Sequence, residues 1–168
     1  MNSLESVLEN LKTVLAKNGK TISAAESLTG GYVQYLLSSI NGSSGYFVGG
    51  VTAYNIDQKV NILGVDRKNA EKCDCVSEQT VMEMARGIQK LTGSDYSIAT
   101  TGYSVTNDDV AEPYAFICFY DYNNHDLKTK IIRNKQFTTR ELSQQYFATQ
   151  AFLFLYENII EAEKKKIL

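Results

Sequence analysis

The chain of 168 residues has no tryptophan, one proline, one histidine and three cysteines. Three cysteines are odd in number and sparse, so no disulfide scaffold is implied and a reducing cytoplasm is expected. The single histidine, His125, lies in the polar run YNNHD. A histidine-based triad or a multi-histidine metal site therefore has almost nothing to draw on. With Pro113 alone, glycine and Asn/Asp must make most turns. No apolar run approaches the roughly 20 residues of a membrane span. The opening stretch MNSLESVLENLKTVLAK lacks the continuous apolar segment of a signal peptide. The net charge of −2, from 17 basic and 19 acidic residues, does not favour wrapping a phosphate backbone. Neither a nucleic-acid partner nor a membrane is expected.

What remains is a globular composition: 43% hydrophobic, 21% charged and 11% aromatic. The length suits a single domain, 1–168, with one sizeable core. Leu4, Val7, Leu8, Leu11, Val14 and Leu15 recur at helical spacing over 3–17, closed by Asn18-Gly19. Strands are predicted at 21–25, 45–54 and 97–101, with helices at 32–40 and 55–63. Ser77 is placed to cap a helix carrying Val81, Met84, Ala85, Ile88 and Leu91. Residues 113–122 and 127–133 read as two strands joined by a turn at 123–126. Thr138 and Glu141 have capping-box spacing before a last helix. The fold class expected is α/β, a single-domain layered sandwich with a mixed β-sheet flanked by helices.

Four groups of residues could carry chemistry. In AESLTGG a strand ends at Ser27 and turns through two glycines into a helix. That exposes the hydroxyl at the carboxyl end of a strand, where ligands sit in open α/β sheets. It also aims backbone N–H groups of Thr29, Gly30 and Gly31 at one point, able to hold a phosphate or an oxyanion. The pattern is neither a G-x-S-x-G elbow nor a Walker A loop. A serine nucleophile needs a base, and a desolvated lysine is the common alternative to histidine. Tyr54 at a strand end and Lys59 one turn into the next helix could both face a single cleft. Thr101, ending the strand SIATT, could orient the substrate or the lysine. Arg140, at the start of the last helix, is a natural anion partner. Cys73-x-Cys75 lacks the second pair that a metal site of that kind needs.

Taken in order, AESLTGG, NGSSGYFVGGVTAYNIDQK, LGV, VSEQT and ATTG resemble the CinA C-terminal domain family, which includes nicotinamide-nucleotide amidases. The resemblance covers about residues 3 to 160. It implies an α/β layered fold and hydrolysis of the carboxamide of nicotinamide mononucleotide to nicotinate mononucleotide and ammonia, with no metal and no cofactor. It places the family's nucleophilic serine on Ser27 and its tyrosine, lysine and threonine on Tyr54, Lys59 and Thr101. The family's G-x-S serine falls on Ser44, and an arginine falls on Arg140. On this reading Lys59 takes the Ser27 proton and Tyr54 positions or relays. Thr29, Gly30, Gly31, Ser44 and Arg140 contact the substrate.

The segment after Gly102 departs from the family. Tyr103 to Asp109 replaces a glycine-rich loop containing Ala-Gly-Pro, and Leu28 replaces a small residue. Bulkier side chains and two acidic groups are expected to reshape the pocket and repel a phosphate. The alternative is therefore a catalytically silent or substrate-shifted relative that binds a nucleotide ligand or a protein partner. The aromatic residues of the last helix further suggest a homo-oligomer.

Overall fold

The structure is a computed structural model describing residues 3–137 and 139–165. A five-stranded sheet carries helices on both faces. Its strands are β1 (Ile22–Glu26), β2 (Phe47–Thr52), β3 (Tyr96–Tyr103), β4 (Tyr114–Asp121) and β5 (Asp126–Arg133), ordered β2-β1-β3-β4-β5. β1 runs parallel to β2 and β3, while β4 is antiparallel to both of its neighbours, β3 and β5, so the sheet is mixed as expected. β1 has β2 on one side and β3 on the other. The chain reverses its direction of travel across the sheet there, and the crevice at the carboxyl ends of β1 and β3 is a topological switch point.

One face carries α1 (Leu4–Asn18), α2 (Tyr32–Ser38) and α6 (Arg140–Lys165). The other carries α3 (Ile56–Leu63), α4 (Arg67–Lys72) and α5 (Glu78–Thr92). The period of two along each strand divides the core between them. Ile22, Ala24, Ile98 and Phe119 pack with Leu11, Leu15, Phe147 and Phe152. Ala25, Ala99 and Cys118 pack with Val81, Met84 and Ile88 of α5. By the same alternation Glu26 faces α2, and Ser27 continues toward α3 and α5.

The helix signals act locally. The Ser3 hydroxyl accepts from the Ser6 N–H, and Gly19 closes α1 in the left-handed region. Asn55 caps α3 through the Gln58 N–H, and Ser77 caps α5 through the Thr80 N–H. Some boundaries differ from the sequence reading. β2 begins at Phe47, because Ser43–Gly45 form a single 3-10 turn. α2 stops at Ser38, and the hairpin turn sits at 122–125. α4 went unread, being six residues with only Ala70 buried. The expected Thr138 cap lies outside the described residues; the Thr139 hydroxyl accepts from the Leu142 N–H. The aromatics of α6 pack largely at home, with Phe147 and Phe152 buried and Tyr146, Phe154 and Tyr156 against the same core. Among the described residues, no helix is long and apolar enough to cross a membrane.

Candidate active site

A cleft of about 550 Å3 opens at the switch point, lined by residues that include Ser27, Tyr54, Lys59, Asp74, Thr101 and Arg140. Its floor is Ser27 and Lys59. Ser27 leaves the end of β1 and is 7% exposed. Lys59 sits in the first turns of α3 and is 2% exposed. The Asn55 cap sets the start of that helix, so the lysine side chain runs back toward the strand ends. Its Nζ is 3.0 Å from Ser27 Oγ and 3.3 Å from the Tyr54 carbonyl oxygen. No carboxylate forms a salt bridge with it among the described residues. Burial pushes its ammonium below the ordinary value of 10.5, against the opposing pull of Cys75 and Asp74. Nζ donates to both oxygens; on losing a proton it keeps a donor for the Tyr54 carbonyl and offers its lone pair to the serine hydroxyl. That is the geometry of a nucleophile with its general base.

The two ends of Tyr54 act separately. Its carbonyl holds Lys59, but its phenol is exposed and accepts from Arg140 Nη1 at 3.3 Å. Of the two expected roles, positioning or relay, this geometry favours positioning: the main chain of Tyr54 meets Lys59, because Tyr54 leaves the sheet before the turn into α3. Arg140 also donates to Ser104 Oγ at 3.1 Å. Both partners are neutral hydroxyls, which leaves the guanidinium charge for an anion at the rim. Thr101 lines the cleft, but its hydroxyl donates to the Cys75 carbonyl at 2.8 Å. It ties β3 to the connection between α4 and α5 and holds neither Lys59 nor Ser27.

The turn after Ser27 corrects a further expectation. Gly30 N–H donates to the Ser27 carbonyl, and Gly31 N–H donates to Glu26 Oε2 at 3.0 Å. The Thr29 side chain is fully buried, its hydroxyl shared between Glu26 and Thr100. These groups do not converge on the cleft, because Glu26 already fills the N-terminus of α2 as its internal anion. Among the described residues, the turn amides left without an acceptor are those of Leu28 and Thr29. Ser44 is also placed elsewhere. Glu26 pairs with Thr52 and Ile22 with Phe47, so Ser44 lies beyond the opposite end of the strand pair and is exposed. Five strand residues separate the two ends by about 15 Å.

The far wall was not foreseen. Asp74 and Cys75 both adopt left-handed backbone, with φ of 49° and 60°. The Tyr103 hydroxyl donates to Asp74 Oδ2 at 2.9 Å; burial and this bond push the phenol up to about 12. Glu71 and Asp74 thus face a cleft whose exposed cation is Arg140. Asp74 and Ser104 line the cleft and Glu26 lies beneath the turn that carries Ser27; sequence reasoning gave none of the three an individual role. Only Glu26 left a signal, as an acidic residue just before a glycine turn into a helix.

This site lies within a recognisable whole. The CinA C-terminal domain profile matches residues 4–159. The chain belongs to the CinA C-terminal domain family. A CinA-like protein of Thermotoga maritima is 36% identical over 122 residues, covering 73% of this chain and 30% of that protein. A CinA-like protein of Leptospira borgpetersenii is 29% identical over 157 residues, covering 94% of this chain and 38% of that one. The chain therefore spans well under half the length of these curated relatives. Among solved structures, a CinA superfamily protein of Klebsiella pneumoniae superposes with a TM-score of 0.84 at 22% identity, over 95% of this chain and 99% of that one. A competence/damage inducible protein of Agrobacterium tumefaciens gives 0.84 at 25% identity, over 92% and 94%. These likenesses fix the CinA architecture of a mixed five-stranded sheet between helices.

Proposed function

We propose that this CinA-family protein is a serine amidohydrolase that deamidates nicotinamide mononucleotide, with Ser27 as nucleophile and Lys59 as base. The observation that carries the reading is the buried Lys59 amine 3.0 Å from Ser27 Oγ, its ammonium destabilised by burial. Neutral Lys59 takes the hydroxyl proton as Oγ attacks the carboxamide carbon, which the pyridinium charge makes electrophilic. The Leu28 N–H, on the cleft lining and without an acceptor among the described residues, is the available donor to the oxyanion. The C–N bond then breaks, and Lys59 returns its proton to the departing nitrogen, releasing ammonia. Water hydrolyses the acyl-serine with Lys59 again as base. Arg140, held by Tyr54 and Ser104, takes the substrate's anionic end.

The Glu71 and Asp74 carboxylates on the wall favour a second reading, in which the same machinery acts on another amide with less negative charge. Ammonia release separates the two. With a chelator present, serine-dependent release from nicotinamide mononucleotide, lost in Ser27→Ala, supports the first reading. No release from this substrate, with serine-dependent release from an uncharged or cationic amide, supports the second. Release unchanged in Ser27→Ala overturns the serine mechanism.

A further inference from the structure

We infer that Glu26 is the positioning residue of the nucleophile: its buried carboxylate sets the turn that presents Ser27 to Lys59. The inference rests on Ser27 being the nucleophile. Glu26 is fully buried, and no salt-bridge partner holds it among the described residues. Four donors surround it instead: Thr29 Oγ1 at 2.6 Å and the N–H groups of Gly31, Val33 and Gln34 at 3.0, 3.1 and 2.8 Å. Three of the four are backbone groups opening α2, the donors that an external anion would otherwise engage. The carboxylate is therefore a permanent occupant of the place where a phosphate or an oxyanion was expected.

Its neighbours carry the constraint to the chemistry. Thr29, bonded to Glu26, also bonds Thr100 at 2.8 Å, so the turn is fixed to β3 beside Thr101 on the cleft wall. Gln144 Nε2 donates to the Leu28 carbonyl at 2.9 Å, tying the turn to α6 one helical turn beyond Arg140. The Gly30 N–H closes the turn on the Ser27 carbonyl. Glu26 is next to Ser27 in the chain but points to the opposite face of the sheet. It cannot touch a substrate in the cleft, and it acts through the backbone. A nucleophile displaced by about 1 Å loses on the order of a hundredfold in rate.

The test follows phosphonylation of Ser27 by a fluorophosphonate probe, with Ser27→Ala as blank and melting temperature recorded in parallel. Glu26→Gln keeps the shape but turns an amide NH2 toward N–H donors. It is expected to slow labelling by about 10- to 100-fold, with ammonia release falling in kcat and KM changing less than about threefold. Glu26→Asp, charged but shorter, is expected to fall between Glu26→Gln and the wild type. Should Glu26→Gln not melt cooperatively, Thr29→Val removes one bond to the same carboxylate, and an expected drop of about 3- to 10-fold in labelling replaces it. Wild-type labelling rates in folded variants, with melting temperature alone lowered, overturn the inference and leave the amidase reading intact. A wild-type protein that the probe does not label overturns both.

Discussion

Two turns leave the carboxyl ends of neighbouring parallel strands, one after β1 and one after β3, and they are built in opposite ways. The turn after β1 is held from three directions: by Glu26 beneath it, by Thr100 on β3 through Thr29, and by Gln144 on α6. The segment after β3 is held mostly by itself. Asn107 and Val110 bond each other, Asp109 bonds Asn107, and Ser104 reaches Arg140. Long-range bonds fix a group within the few tenths of an ångström that a reaction needs, whereas local bonds let a segment change without disturbing the core. Ser27, the proposed nucleophile, stands on the first kind of support. Ser104, Val105 and Asn107, which line the cleft from the segment after β3, stand on the second.

Breaking the fixed side should have the largest effect. Ser27→Ala and Lys59→Met are each expected to reduce ammonia release by about a thousandfold. Lys59→Met should melt at or above the wild-type temperature, since it removes a buried ammonium and keeps the length of the side chain. Calorimetry beside the assay checks both, and a large loss of stability in Lys59→Met would show the lysine to be a structural group. At the junction of the two regions, Gly102 has a φ of 154°, and an added Cβ would lie 2.2 Å from the Tyr114 carbonyl oxygen. Gly102→Ala is expected to cost about 2–4 kcal/mol in urea unfolding.

pH tests the same contrast. The Lys59 ammonium is depressed in the folded state, so the unfolded chain binds the extra proton between that lowered value and 10.5. Across this window stability is expected to rise with pH in wild type and to rise less in Lys59→Met. The kcat/KM profile should climb about tenfold per pH unit and level off below the ordinary lysine value. A plateau only above 10.5 would contradict a desolvated base.

The adaptable side should respond weakly, and mainly in substrate preference. Asp74→Asn is expected to lower KM for a phosphorylated amide by about 3- to 10-fold and to leave kcat nearly unchanged. The smallest effect belongs to Asp109→Ala, whose side chain is exposed; labelling of Ser27 should not change. A hundredfold loss there would erase the distinction between the two turns.

Much of this could be read from the chain alone, because the signals are local. The caps at Ser3, Asn55 and Ser77 and the left-handed glycines after α1, α3 and α5 depend on adjacent backbone, so the sequence carries them directly. The period of two separated the sheet faces, and the AESLTGG turn marked Ser27. Other features needed the assembled sheet. That Lys59 reaches Ser27 across 32 positions follows from the parallel pairing of β1 with β2. That Tyr54 offers its carbonyl rather than its phenol, and that Ser44 stands at the far end, follow from register. Above all, Glu26 rather than a ligand fills the N-terminus of α2, and pattern alone could not choose between an internal anion and an external one. The sequence determined where strands end and helices begin, since propensity and capping act over a few residues. Which side chains share a buried cleft was decided only by tertiary packing, since the pairing of distant strands brings them together and withdraws the lysine from water.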